Sequence, residues 1–177
     1  FPKRRRPAGL PPGSLLYTGQ QSEATIQLSM MEYSEDKIVE KSAVSIDECL
    51  ESLHTPLMTW IEVQGVSDPS TIASIGKHFK FHPLVLEDIL STGQRSKLDV
   101  YHDQVFLVVR LLQYDEATQV LKDEQVSLVF GPNYLISITE GHEDIFKPIK
   151  ERLRQGSQRI RSLGSDFLAY ALIEIGR

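Results

Sequence analysis

The sequence has a single cysteine, Cys49, among its 177 residues. One cysteine excludes an intramolecular disulfide framework and is typical of a reducing compartment. The chain also lacks an apolar run of the roughly 18 residues that a membrane-spanning helix needs. The nearest candidate, 105–112, is too short and contains Arg110. Because 41% of the residues are hydrophobic and 24% are charged, we expect a soluble folded domain.

The common catalytic signatures are also missing: a phosphate-cradling glycine-rich loop, GxSxG, HExxH and CxxC. His78 and His82 stand four residues apart, a spacing that could hold zinc on one continuous helix. A residue before proline is disfavoured in helical geometry, so His82 should end one element where Pro83 begins the next. Capping or packing is therefore favoured over a zinc site, and no enzymatic activity is predicted.

The net charge of −5 is unevenly distributed. Residues 1–12 carry four bases and no acid, and residues 147–161 carry six bases against one acid. Residues 13–146 hold 21 acids against 8 bases, which favours cations or a basic partner and argues against nucleic acid. Residues 1–14 are rich in proline and glycine and are predicted to form a flexible basic arm.

Hydrophobic periodicity predicts both strands and helices. Alternating or β-branched runs predict strands at 24–33, 37–44, 59–64, 101–114, 120–130 and 134–139. Capping and proline signals predict helices at 45–53, from 69, at 83–90 and from 144 onward. Gly131-Pro132-Asn133 is a hairpin signal. The fold class predicted is α/β, with a mixed parallel and antiparallel sheet covered by helices as an α/β/α sandwich.

Two adjacent acids, Glu87 and Asp88, end the helix predicted at 83–90. Adjacent side chains diverge by roughly 100° around a helix, so these two cannot close around one ion alone. Mg²⁺ needs only one or two carboxylates, so the pair suits a cation held against another surface, including that of a second subunit. The alternative is a solvated pair beside Arg95 and Lys97.

Other acids are expected to face solvent. Glu174 forms the polar flank of an otherwise apolar helix that begins near Ser165. Five further acids fall in predicted loops or strand ends and carry no predicted role: Asp103, Asp115, Glu116, Asp123 and Glu124.

Six blocks of the sequence resemble, in the same order, the cytosolic domain of CorA-type magnesium transporters. The most specific is GKHFKFHPLVLEDIL at 76–90, followed by QRSK at 94–97. The others are GLPPGSL at 9–15, TWIEVQG at 59–65, EQVSLVFGPNYLIS at 124–137 and RIRSLGSDFLAYALIE at 159–174.

The resemblance implies the Mg²⁺-sensing regulatory domain of a homopentameric channel for Mg²⁺, with Co²⁺ as a second candidate. In that family, Mg²⁺ bound between adjacent cytosolic domains favours the closed pore. By position, Asp88 matches the acid of the principal regulatory site, whose partner acid lies on a neighbour's stalk helix beyond Arg177. Glu87 and Glu174 match carboxylates of the second regulatory site, and Leu10 matches a position that contributes through its backbone.

The resemblance also implies an organisation: a basic arm at 1–14, a cytosolic α/β regulatory domain at 15–164, and the start of the helix leading towards the stalk at 165–177. The stalk, the two membrane helices and their Gly-Met-Asn loop are absent from this sequence, so the fragment is expected to be a monomer or weak oligomer. The intact protein would be a homopentamer in the inner (plasma) membrane.

Some features depart from the family pattern and leave alternatives open. Glu174 stands where Asp is common, and Ser96 replaces the proline of a typical QRPK. Residues 175–177 depart from the usual continuation of the helix. The related zinc-transporting branch shares the fold, and a purely structural assembly domain without ion sensing is the other alternative.

Overall fold

The computed structural model describes residues 26–141, 143–156 and 158–175. Along these ranges the chain forms β1 (Gln27–Tyr33), β2 (Ile38–Ser42), α1 (Ile46–Ser52), β3 (Met58–Gln64), α2 (Pro69–His78), α3 (Pro83–Leu90), β4 (Lys97–Tyr101), β5 (Gln104–Asp115), β6 (Val120–Gly131), β7 (Tyr134–Thr139), α4 (Lys147–Arg154), α5 (Gln158–Ser162) and α6 (Ser165–Glu174). The arm predicted at 1–14, with Leu10, lies outside the described residues. None of the described helices combines the length and apolar content that crossing a bilayer requires.

The strands form one mixed sheet in the order β2-β1-β3-β7-β6-β5-β4. Only the central pair, β3 and β7, runs parallel, and the other neighbours are antiparallel. Trp60 lies in this central region, and its indole Nε1 donates to Ser137 Oγ at 3.0 Å, which satisfies a fully buried polar group. The predicted mixed sheet is confirmed.

Helices cover both faces of the sheet. We call the side covered by α1–α3 the first face and the side covered by α4–α6 the second face. Successive strand residues point to opposite sides, so Ile61 packs in the core of the first face and Trp60 in that of the second. The predicted α/β/α sandwich is therefore confirmed.

Local capping explains where the first helices begin. The hydroxyl of Ser45 accepts the amide of Glu48 at 3.2 Å, as the predicted capping box requires. The carboxylate of Asp68 accepts the amide of Ser70 at 3.0 Å, and Pro69 occupies the first helical turn of α2. Both predicted helix starts are confirmed.

One predicted strand is wrong in its bounds. The run at 101–114 contains only the last residue of β4, and a turn at His102 and Asp103 separates that residue from β5. His102 has φ of 50°, in the left-handed region that such a tight reversal needs. The prediction missed β4, in which the polar Lys97 and Asp99 are half-buried while the apolar Leu98 and Val100 are exposed.

Candidate metal site

The helix that carries Glu87 and Asp88 is capped by a histidine. His82 Nδ1 accepts the amide of Leu84 at 3.1 Å, and its ring stacks on Tyr101 with 4.5 Å between centroids. The capping and packing role predicted for His82 is confirmed. Among the described residues, no group of three or more His, Cys, Asp or Glu side chains could hold a metal ion by itself.

Close packing fixes α3 against the first face. Val85, Ile89 and Leu90 are buried in the core there. Gly76 on α2 allows the approach of Leu86, because a Cβ at position 76 would lie 2.4 Å from Leu86 Cδ2. The backbone of α3 therefore has a fixed position, and its last turn presents its acids at the margin of the core.

Asp88 is paired with a lysine. Lys97 Nζ donates to Asp88 Oδ2, and the side chains are 35% and 19% exposed respectively. The same ammonium lies 3.4 Å from Asp99 Oδ2 and 5.9 Å from the centroid of the Phe106 ring. Burial opposes the charged form of Lys97, but its contacts with Asp88 and Asp99 outweigh this cost and raise the pKa of Lys97. Asp88 is thus half-buried and ion-paired rather than simply solvated.

The sheet also holds the segment that follows Asp88. Gln125, 2% exposed, donates from Nε2 to the Asp88 carbonyl at 3.3 Å and accepts the Gln94 amide at 3.0 Å. Arg110 Nη1 donates to the Gln94 carbonyl at 3.3 Å, and Arg110 Nε lies 2.9 Å from both carboxylate oxygens of Asp123. These contacts fix the connection between α3 and β4 independently of Lys97.

Sequence reasoning missed this support. The Asp123 side chain is only 13% exposed, so the prediction that it faces solvent is wrong. The signal available was Arg110, which stands among apolar residues of its strand, because a long polar side chain facing a core needs a partner.

A second correction concerns Glu124. It is half-buried and accepts the Gly141 amide at 2.9 Å, and burial raises the pKa of its carboxyl group. Nearby Glu140 has a pKa raised to about 7, first by burial and then by the negative charge of Glu124. Asp115 is also only half-exposed, whereas Asp103 and Glu116 are exposed as predicted.

The three described residues named from the resemblance lie on two helices that pack on opposite faces of the sheet. Glu87 and Asp88 are half-buried on α3, which packs on the first face. Glu174 is half-buried at the end of α6, whose Leu168 and Leu172 pack on the second face. Leu10 lies outside the described residues. The sheet therefore stands between α3 and α6.

The donor set at Asp88 fits a hard divalent cation. Asp88 presents a carboxylate oxygen to a point where the Lys97 ammonium stands in for a cation, and Asp99 offers that ammonium a second partner. Mg²⁺ accepts one or two carboxylates and keeps several waters. The described residues therefore fit part of a Mg²⁺ coordination shell.

Comparison with known proteins agrees with the fold. The family model for CorA-like Mg²⁺ transporter proteins matches residues 57–175. The chain is 36% identical over 166 residues to the cobalt/magnesium transport protein CorA of Thermotoga maritima, which covers 94% of this chain and 47% of that protein. The chain thus spans about half the length of this relative.

Two solved structures share the fold. The soluble domain of CorA from Methanocaldococcus jannaschii matches with a TM-score of 0.57 and 12% identity, over 88% of this chain and 57% of that one. The ZntB cytoplasmic domain from Vibrio parahaemolyticus matches with a TM-score of 0.61 and 12% identity, over 84% of this chain and 57% of that one. With the family match over most of the chain, we conclude that this protein belongs to the CorA-like Mg²⁺ transporter family.

Proposed function

We propose that this chain is the Mg²⁺-sensing regulatory domain of a divalent-cation channel and lies on the cytosolic side of an inner (plasma) membrane. The observation that carries the proposal is Asp88, a half-buried carboxylate that holds a cationic group at the end of a rigidly packed helix. The name of the Thermotoga relative, a cobalt/magnesium transport protein, supports Mg²⁺ as the ion and Co²⁺ as a second one. The role is binding and regulation, without an enzymatic reaction.

The ion would bind between subunits. Asp88 would supply one carboxylate, and because Glu87 diverges from it on the same helix, the remaining ligands would come from water and a neighbouring subunit. Since α3 and α6 lie on opposite faces of the sheet, a head-to-tail arrangement can set α3 of one copy against α6 of the next. Such contacts form a ring when the rotation between copies closes, as a homopentamer would require. Glu87 of one copy would then share the second site with Glu174 and Leu10 of its neighbour.

Bound Mg²⁺ would favour the closed pore through electrostatics. Carboxylates that face one another across an interface repel, and a divalent cation between them removes that repulsion. The closed arrangement would bind Mg²⁺ more tightly than the open one, so rising cytosolic Mg²⁺ would shift the population towards closure. Loss of the ion would loosen the subunits and open the pore.

The proposal assigns residues 15–164 to the regulatory domain and residues 165–177 to the start of a helix leading towards the stalk. Residues 1–14 would be a basic arm. Conduction and stable pentamer formation would depend on stalk and membrane helices in the intact transporter. The 177-residue chain by itself would be a monomer or a weak oligomer.

The test uses the intact transporter in liposomes, as wild type and as Asp88→Asn. Mg²⁺ is titrated while ion flux and protease resistance are followed. We expect millimolar Mg²⁺ to close and protect the wild type, while Asp88→Asn stays conducting and protease-sensitive. The matched control is Asp103→Asn, which removes an exposed acid and should behave as wild type.

The same experiment separates the alternatives. If Mg²⁺ closes and protects both the wild type and Asp88→Asn, Asp88 is not a sensor ligand. If neither responds, the domain serves assembly only. A parallel titration with Zn²⁺ addresses the zinc-transporting branch, for which Zn²⁺ flux without Mg²⁺-dependent closure is the expected result.

A further inference from the structure

We propose that Lys97 is a built-in competitor for the divalent cation at Asp88, so that its ammonium must leave before Mg²⁺ can bind. Lys97 would thereby set the Mg²⁺ concentration at which the domain responds. This inference rests on the proposed function, because it concerns the regulation of the same site.

The position of the ammonium is the first argument. Lys97 Nζ donates to Asp88 Oδ2, lies 3.4 Å from Asp99 Oδ2, and stands 5.9 Å from the Phe106 ring centroid. Two carboxylates and an aromatic face therefore surround one positive charge. A divalent cation on the same oxygen of Asp88 would lie close to the ammonium and be repelled by its positive charge. Lys97 and Mg²⁺ therefore compete for this oxygen.

The accessibility of the pair is the second argument. The Lys97 side chain is 35% exposed, so it can move into water without crossing the core. Lysine carries a strongly hydrated point charge on a flexible four-carbon stem, which makes such a movement inexpensive. A divalent ion brings twice the charge, so it can displace the ammonium when its concentration is high enough.

Asp99 gives the displaced lysine a second partner. Lys97 and Asp99 are two residues apart on β4, so both side chains point to the same face of the sheet. The Asp99 side chain is 39% exposed and already lies within ion-pair distance of Lys97. After Mg²⁺ binds, Lys97 can keep Asp99 and release Asp88, so neither charge is left alone.

Lys97 is not needed to hold α3 in place. Gln125 and Arg110 bind the segment after α3 through its backbone, and the buried residues of α3 fix the helix to the core. Removing the Lys97 charge should therefore free Asp88 without displacing it. The effect of Lys97 on Mg²⁺ binding can therefore be measured without moving α3.

The expected size of the effect follows from occupancy. If Lys97 holds Asp88 in about 90% of ion-free molecules, the apparent Kd for Mg²⁺ is about tenfold higher than the intrinsic one. The substitution Lys97→Met keeps most of the apolar stem and removes the charge. We expect it to lower the Mg²⁺ midpoint by about three- to tenfold.

The experiment measures the Mg²⁺ midpoint of protease protection in the intact transporter. Arg95→Gln is the matched control, since it removes one positive charge two residues away on an exposed side chain. Competition predicts a shift of less than about twofold for Arg95→Gln, because screening weakens charges that make no direct contact. Lys97→Arg keeps the competitor and should not lower the midpoint.

The results distinguish failure of the Lys97 competition from failure of Mg²⁺ sensing at Asp88. An unchanged or raised midpoint in Lys97→Met, with Asp88-dependent protection intact, overturns competition and leaves the proposed function standing. Equal shifts in Lys97→Met and Arg95→Gln also overturn it, since they show a general charge effect. If Asp88→Asn, in an otherwise wild-type transporter, keeps its Mg²⁺-dependent protection, the proposed function itself is overturned. If Lys97→Met does not fold, Lys97→Gln replaces it with the same expected result.

Discussion

Two lysine–carboxylate pairs lie on opposite faces of the sheet and differ in their access to solvent. On the first face, Lys97 and Asp88 have side chains that are 35% and 19% exposed. On the second face, the side chains of Lys150 and Glu62 are 14% and 6% exposed. Lys150 Nζ lies 2.8 Å from Glu62 Oε1, 2.9 Å from Asp144 Oδ1 and 5.9 Å from the Trp60 ring centroid.

The difference shows how burial separates a structural ion pair from an exchangeable one. Glu62 is enclosed and also accepts the hydroxyl of Ser29 at 3.3 Å, so removing its base would strand a charge away from water. Asp88 lies at the margin, where water or a dissolved ion can replace its lysine. The residue types are alike, and their surroundings assign them different roles.

The largest effect is expected for Lys150→Met. It would leave Glu62 buried without its base and lower the free energy of unfolding by about 3–5 kcal/mol. Urea unfolding of the 177-residue chain measures this. The double variant Lys150→Met/Glu62→Leu should recover most of the loss, because no charge remains buried. If Lys150→Met alone costs less than about 1 kcal/mol, the buried pair is no more important for stability than the exposed one.

An intermediate effect on the free energy of unfolding is expected for Arg110→Met, on the first face of the sheet. The change removes the partner of Asp123 and a donor to the Gln94 carbonyl, which should cost about 1.5–3 kcal/mol. Amide hydrogen exchange between α3 and β4 should accelerate in the same variant. Unchanged exchange there would mean that Arg110 does not hold the segment that follows Asp88.

A smaller effect is expected for Lys97→Met on stability. Because the pair is partly exposed, its loss should change the free energy of unfolding by less than about 1 kcal/mol in urea. Lys77→Met, at an exposed position on α2, is the control for removing a lysine. A loss as large as that of Lys150→Met would make Asp88–Lys97 a structural pair too.

A separate, pH-dependent effect on stability is expected from Glu140, a half-buried acid that lies beside another acid, Glu124. Its pKa is raised to about 7 by burial and by Glu124, so the folded state binds its proton more tightly than the unfolded chain. That stabilisation is complete below the ordinary pKa of 4.5 and is lost as pH rises through 7. Glu140→Gln should therefore lose less stability than wild type between pH 5 and 8.5, measured by thermal unfolding. Parallel pH profiles would contradict this.

The sequence predicts what local chemistry determines. The caps at Ser45, Asp68 and His82 depend on residues a few positions apart, and these predictions are confirmed. The alternation predicted for β1 is not observed, because Met30 to Tyr33 are buried on both faces of the sheet. The strand β4 was missed by sequence reasoning, and its polar residues are half-buried while its apolar Leu98 and Val100 are exposed.

Long-range contacts were beyond sequence reasoning. Glu62 and Lys150 are 88 positions apart, and their pairing depends on the strand order and on the placement of α4. Lys97 could be placed near Asp88 from the sequence, because only nine positions separate them. Whether Glu174 meets Glu87 depends on a neighbouring subunit, so it stays a prediction.

The most direct test measures two properties of Asp88→Asn together: the Mg²⁺ response of the intact transporter and the unfolding free energy of the 177-residue chain. We expect the Mg²⁺-dependent protection to disappear while stability changes by less than about 1 kcal/mol, because Asp88 is an exchangeable acid at the margin of the core. A large loss of stability with the Mg²⁺ response intact would show that Asp88 is a structural acid like Glu62, and would contradict its role as the sensor.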